Sequence, residues 1–301
     1  MPLPRLALAL CLAPTLALAQ PLDPEPRIAV MSAFPPEWTT LLAAMERPEE
    51  HVVNGIRFVT GTLAGRSVVL FLTGVSMVNA AMTTQLVIDR FDIEGVVFSG
   101  IAGGVDPSLA IGDVVVAAEW SQYLESVFAR ETPDGFALPP WMEPSGLPNF
   151  GMIHPQPVGV TREGSEGVEQ KVWFPADPDW LRVAEDVAAG TILEDCPPEG
   201  ACLSHVPRIV VGGRGVSGQA FVDNAEFREW THATFEARVL DMESAAVAHV
   251  AYANGVPFIA FRSLSDLAGG GEGANEMATF MGLAAGNSAA VVTAFLAALP
   301  E

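Results

Sequence analysis

The chain has 301 residues, half of them hydrophobic, and carries 15 Lys and Arg against 36 Asp and Glu for a formal charge of −21. That balance excludes the basic footprint that a nucleic-acid partner requires, and it reads most simply as a solubility device. A single lysine, Lys171, leaves Schiff-base chemistry one weak candidate.

Arg5 gives residues 1–19 a positive start, Leu6–Leu18 an apolar stretch, and Ala17-Leu18-Ala19 a small-x-small cleavage site. This pattern predicts a secretory signal peptide cleaved after Ala19, with a retained N-terminal anchor as the alternative. The run is short for a membrane span and Pro14 interrupts it, so no stable membrane insertion is expected after cleavage. Residues 20–301 then form one exported domain, periplasmic or secreted. Cys11 falls in the signal, while Cys196 and Cys202 flank the turn-like Pro-Pro-Glu-Gly-Ala. In an oxidising compartment this predicts a local disulfide, with two free thiols as the alternative. Only His205 is near them, so no metal is expected, and no cofactor motif is present.

Arg27–Met31 reads as a short strand running into Ser32-Ala33-Phe34-Pro35-Pro36, with a helix from Glu37 or Trp38 to about Met45. Arg57–Thr62 and Ser67–Thr73 read as a hairpin turned by Ala64-Gly65, and Val78–Arg90 as a helix. Gly95–Ser99 is a buried strand leading into Gly100-Ile101-Ala102-Gly103-Gly104, and Val114–Ala118 another. Residues 131–178 are rich in Pro, Gly and Trp with poor periodicity, which marks an irregular insert. Ile209–Val211 is a strand leading into Gly212–Phe221, and Glu276–Leu299 is a closing helix of small residues.

Arg238–Asp266 carries the most information. The run Arg238–Leu240, the helix Ser244–Ala253 stopped by Asn254-Gly255, and the apolar Val256–Phe261 read as strand, helix, strand. A crossover of this size implies parallel strands whose carboxyl ends share one edge. Glu243 and Asp266 would then meet where open α/β sheets bind ligands. The alternation along the chain predicts an α/β fold with a central, mostly parallel twisted sheet.

Asp266, led in by an apolar strand, is the candidate acid, because partial burial raises a carboxyl pKa. It would serve equally as the cap of a turn. Glu243 and Glu37 each open a helix, where the dipole alone favours a carboxylate. Phe221 is a stacking platform or a core residue. Gly100–Gly104 lacks the dinucleotide spacing.

Taken together, Ser99–Gly104 with Asp106-Pro107-Ser108-Leu109 and Gly112–Val115, Asp241–Ala246 with Val256-Pro257-Phe258, and Arg262–Asp266 resemble the 5′-methylthioadenosine/S-adenosylhomocysteine nucleosidase family. The resemblance implies a three-layer α/β/α, nucleoside phosphorylase-like fold and hydrolysis of a purine N-glycosidic bond. It implies that Asp266 protonates the departing base, that Ser265 orients it, and that Glu37 positions the attacking water. Glu243 and Met242 would hold the ribose, Phe221 would stack on the base, and the Val222 backbone would read its edge. Ala102 and Gly103 would approach the ribose, and Phe280 would line the pocket for the 5′ group. A homodimer is implied as well.

Several features depart from the family pattern. The loop before Glu37 is longer, Ile101 stands where a small polar residue is usual, Gln219 replaces a residue that is usually acidic, and the insert has no counterpart in the compact cytosolic members. The rivals are a phosphorylase, which would want arginines around phosphate, and a non-catalytic exported nucleoside-binding protein, which would lack the acid. A dinucleotide enzyme would need glycines after the first strand, and Met31–Glu37 has none.

Overall fold

Alternation along the first strand, β1 (Asp23–Ser32), sets the layers: Ile28 and Val30 face one apolar cluster, Ala29 and Met31 another. A strand buried on both faces needs helices above and below it. The computed structural model describes residues 22–197, 200–271 and 273–300, so the expected signal segment lies outside the described residues.

After β1 come α1 (Pro35–Ala43), β2 (Glu46–Val53), β3 (Ile56–Leu63), β4 (Arg66–Leu72), α2 (Met77–Arg90) and the long β5 (Phe91–Gly104). Short strands fill the middle: β6 (Val114–Val116), β7 (Glu119–Gln122), β8 (Ser126–Phe128), β9 (Arg130–Thr132), β10 (Gly135–Ala137), β11 (Ile153–Pro155), β12 (Val158–Val160), β13 (Glu169–Lys171) and β14 (Phe174–Pro175). The chain closes with α3 (Pro178–Ala188), β15 (Ile209–Val211), β16 (Arg214–Ser217), α4 (Ala225–Phe235), β17 (Ala237–Asp241), α5 (Ser244–Ala253), β18 (Phe258–Asp266) and α6 (Met277–Ala298). Helices α1, α3 and α6 cover one face of the sheet, and α2 and α5 pack together on the other.

The twelve-stranded sheet is mixed, with parallel ladders in the majority as expected. Parallel ladders join β1 to β4 and β5, β5 to β18, β6 to β15, and β16 to β7 and β17. Antiparallel ladders join β2, β3 and β4, because two-residue turns at Asn54-Gly55 and Ala64-Gly65 hold both residues at positive φ. The strands flanking α5 are not parallel either. β18 runs with β5, whereas β17 pairs with the end of β5 in the opposite sense. Their carboxyl ends converge all the same: Leu240 and Asp266 both lie opposite Gly103, approached from opposite directions. An irregularity between Leu264 and Asp266 re-aims the last side chain of β18.

The insert is built of small antiparallel pairs, β8 with β11, β9 with β10 and β12 with β13, while β14 joins the main sheet at β7. The ring of Tyr252 on α5 lies 4.7 Å from the Arg162 guanidinium and 4.4 Å from the Lys171 ammonium, and its hydroxyl donates to Glu169. Phe150 packs edge-on to Phe227 of α4 at 5.1 Å, and the Trp230 indole donates to the Pro148 carbonyl at 3.0 Å. The insert thereby touches the helix that follows the Phe221 loop. Cys196 and Cys202 are disulfide-bonded, with Cα atoms 4.2 Å apart.

Candidate active site

Phe34 caps α1 with extended backbone, Pro35 and Pro36 occupy its first turn without needing hydrogen-bond partners, and Glu37 is the third helical residue. From there the Glu37 carboxylate reaches back to the N–H groups of Ala33 (2.6 Å) and Phe34 (3.3 Å) and takes a third N–H from Ile101 on β5 (2.8 Å). An ionised carboxylate has about four acceptor positions, so one remains open. Glu37 is buried, and desolvation pushes its pKa up against Arg262 and these three donors.

Glu243 stands at the N-cap of α5, yet its side chain does not cap the helix. Asp241 does that work: its Oδ1 accepts the N–H groups of Glu243 and Ser244, both at 3.1 Å, and the Ser217 hydroxyl. The Glu243 carboxylate is thus free of the helix. Its Oε1 accepts the Ser76 N–H at 2.8 Å and its Oε2 lies 3.3 Å from Arg262, which leaves two acceptor positions. Burial pushes its pKa up to about 7, against the pull of Arg262.

Arg262 was not assigned a role from the sequence. It is fully buried on β18, with its guanidinium 2.7 Å from Asp241, 3.3 Å from Glu243 and 3.8 Å from Glu37, above the Phe98 ring at 3.9 Å. Gly100 makes room for it, since a Cβ there would lie 2.2 Å from Arg262 Nη1 and 2.6 Å from Glu37 Oε1. The available signal is a lone arginine in an apolar strand of a chain whose other motifs supply three acids.

Asp266 ends β18. Its Oδ1 accepts the Ala268 N–H (2.9 Å) and an Asn275 amide N–H (3.4 Å), and its Oδ2 accepts the Ser265 hydroxyl (2.9 Å). The turn-capping role and the cavity-facing role coincide in this residue. Desolvation holds its pKa above the usual carboxylate range despite the three donors. Because Oδ1 is doubly occupied, Oδ2 is the oxygen left to carry a proton.

These carboxylates face one cavity of about 180 Å³. Of the residues expected at the site, Glu37, Gly103, Phe221, Val222, Met242, Glu243, Ser265 and Asp266 line it. Ala102 is buried beside it, its carbonyl oxygen 3.4 Å from the Ser265 hydroxyl oxygen. Phe280 does not line the cavity; Met277, one turn earlier on α6, does so with Phe34, Val75 and Ile101, which form an apolar end. Phe221 keeps 54% of its surface exposed at the rim. Among the described lining residues there are four acids, Glu37, Asp241, Glu243 and Asp266, and no Lys, Arg or His.

The family model described as the phosphorylase superfamily matches residues 27–297. A 5′-methylthioadenosine/S-adenosylhomocysteine nucleosidase from Bacillus thuringiensis is 30% identical over 245 residues, 81% of this chain and 87% of that one. A nucleosidase of the same name from Mycobacterium tuberculosis is 28% identical over 90% of this chain and 97% of its own. Among solved structures, the Neisseria meningitidis nucleosidase in complex with methylthio-immucillin-A superposes with a TM-score of 0.65 at 27% identity, covering 91% of this chain and 99% of that one. The futalosine hydrolase of Helicobacter pylori shares the fold, with a TM-score of 0.68 at 23% identity and coverage of 91% and 98%.

Proposed function

The chain belongs to the 5′-methylthioadenosine/S-adenosylhomocysteine nucleosidase family of the phosphorylase superfamily, and from that premise we propose that it hydrolyses the N-glycosidic bond of purine nucleosides with water as the nucleophile. The observation that carries this reading is the shared cavity of Asp266, Glu37 and Glu243, each with acceptor capacity left after its protein partners are counted. Cleavage of a glycosidic bond needs a proton for the leaving group and a carboxylate for the incoming water.

Asp266 Oδ2 carries the proton toward the departing base, and burial favours the protonated form. The one open position on Glu37 orients the water. The two open positions on Glu243 accept two ribose hydroxyls. Phe221 stacks on the base, and the apolar end at Phe34, Val75, Ile101 and Met277 suits a 5′-alkylthio group. Phosphate is a poor nucleophile for this cavity. Arg262, the cation set among these acids, is fully buried and already faces three carboxylates, so a dianion would meet unscreened acids.

The reading extends to an exported homodimer. The pattern of residues 1–19 and the Cys196–Cys202 bond favour an oxidising compartment. Val75, Val78 and Met82 are exposed at helical spacing beside the cavity, a face that suits a second copy; light scattering of the mature protein tests this. For the activity itself, the purified mature protein is incubated with 5′-methylthioadenosine, S-adenosylhomocysteine and unmodified purine nucleosides, with and without phosphate. Free pentose independent of phosphate is expected. A sugar 1-phosphate would move the chain to the phosphorylases, and binding without base release to the carriers.

A further inference from the structure

We propose, building on the reading of Asp266 as the proton donor, that Asn275 is a positioning residue coupling that acid to the loop that carries Phe221 and Val222. The Asn275 amide oxygen accepts the Met277 N–H at 3.0 Å, which fixes the amide so that its NH₂ faces away from α6. That NH₂ donates to Asp266 Oδ1 at 3.4 Å and to Asp223 Oδ1 at 3.1 Å. Two amide hydrogens therefore serve two carboxylates, one on the acid and one on the residue next to Val222.

The backbones of the two loops are joined as well. The Asn224 N–H donates to the Ala268 carbonyl at 3.1 Å. Gly269, at φ +88°, lies so close that a Cβ would sit 2.3 Å from the Asn224 nitrogen. Arg228 of α4 reaches across to the Gly104 carbonyl at 3.0 Å. A base seated on Phe221 and Val222 thus presses on a loop that is tied, through Asp223 and Asn275, to the oxygen of Asp266 that does not carry the proton. When Oδ2 releases its proton to the base, the new negative charge falls on a carboxylate that Asn275 already faces with an N–H.

The charged groups around Asp266 are Glu276 at the head of α6, Asp223 on the base loop, Arg228 on α4, and Glu37, Asp241 and Glu243 lining the same cavity. With acids in the majority, the Asn275 amide is one of the few groups that favour the ionised form of Asp266.

The test is the pH dependence of kcat/KM for 5′-methylthioadenosine in the mature wild-type protein, N275A, N275D and D266N, with thermal melting to confirm folding. N275A is expected to lose about tenfold in kcat/KM, in keeping with one hydrogen bond to a charged group. Its alkaline limb moves to higher pH, since a donor to the carboxylate is gone. N275D, which replaces the donor with a negative charge at the same position, moves the limb further in the same direction. Folded N275A and N275D with the limb unmoved, above an inactive D266N, would overturn the coupling alone. D266N at the wild-type rate would overturn the reading of the acid and this proposal with it.

Discussion

The two ends of the cavity are built on opposite principles. At the Arg262 end, Glu37, Asp241 and Glu243 surround one guanidinium in a dry interior, and each carboxylate takes backbone N–H groups from a different part of the chain. At the Phe221 end, a half-exposed ring meets solvent while the Asp266 carboxyl that ends β18 stays buried. Rigid charge placement suits the holding of a sugar and a water, whose positions are the same for every nucleoside. An open rim suits entry and release of a flat base.

The contrast is tested hardest at Asp266, the proposed proton donor. D266N should fold and bind nucleoside while turnover falls by about 10²–10⁴-fold, the usual range for losing a general acid; single-turnover base release measures this, and an undiminished rate would break the assignment. Next in size, Arg262→Met leaves three buried carboxylates without their cation and should cost about 3–5 kcal/mol of stability by denaturant titration. A change of the same size from Phe221→Ala would erase the distinction between the two ends.

Glu243 sharpens the comparison through pH. Its folded pKa of about 7 lies above the ordinary 4.5, so the folded state holds a proton that the unfolded state gives up. That contribution is complete below about pH 4.5 and is lost as pH rises toward 7, a slope worth a few kcal/mol. E243Q should flatten that slope in unfolding free energies measured across this window; an unchanged slope would remove Glu243 as its source. The smallest effect is expected at the rim, where Phe221→Ala should weaken nucleoside affinity by about 1 kcal/mol, roughly fivefold in Kd, with stability unaltered.

What was legible in the sequence divides along the same line. Local signals read well. The Ala64-Gly65 hairpin, the Asn254-Gly255 stop and the block around Asp266 each depend on residues close together in the chain. The parallel reading of the strands flanking α5 failed because the partner that decides it, the far end of β5, is more than a hundred residues away from β17. Glu243 read as a dipole-favoured helix start, whereas Asp241 two residues earlier takes that duty and releases it. Arg262 stayed obscure because burial of a charge is visible only once its partners are assembled. Phe280 and Met277 sit one turn apart on α6, and helical spacing alone cannot say which of them meets a wall made by Phe34 and Ile101.

Gly103 has the last consequence. Since Leu240, three residues ahead of Glu243, and Asp266 both abut this one backbone unit, the interval between the proposed sugar-holding carboxylate and the proposed proton donor is a ruler cut into the main chain. Swapping residues at the mouth can retailor which nucleosides enter, but the interval between the two acids stays put. New specificities in this scaffold should therefore be sought by diversifying Phe34, Val75, Phe221 and Met277, whereas a Cβ at Gly103 would crowd Asp266 Oδ1 at 3.1 Å and Ala268 Cβ at 3.0 Å.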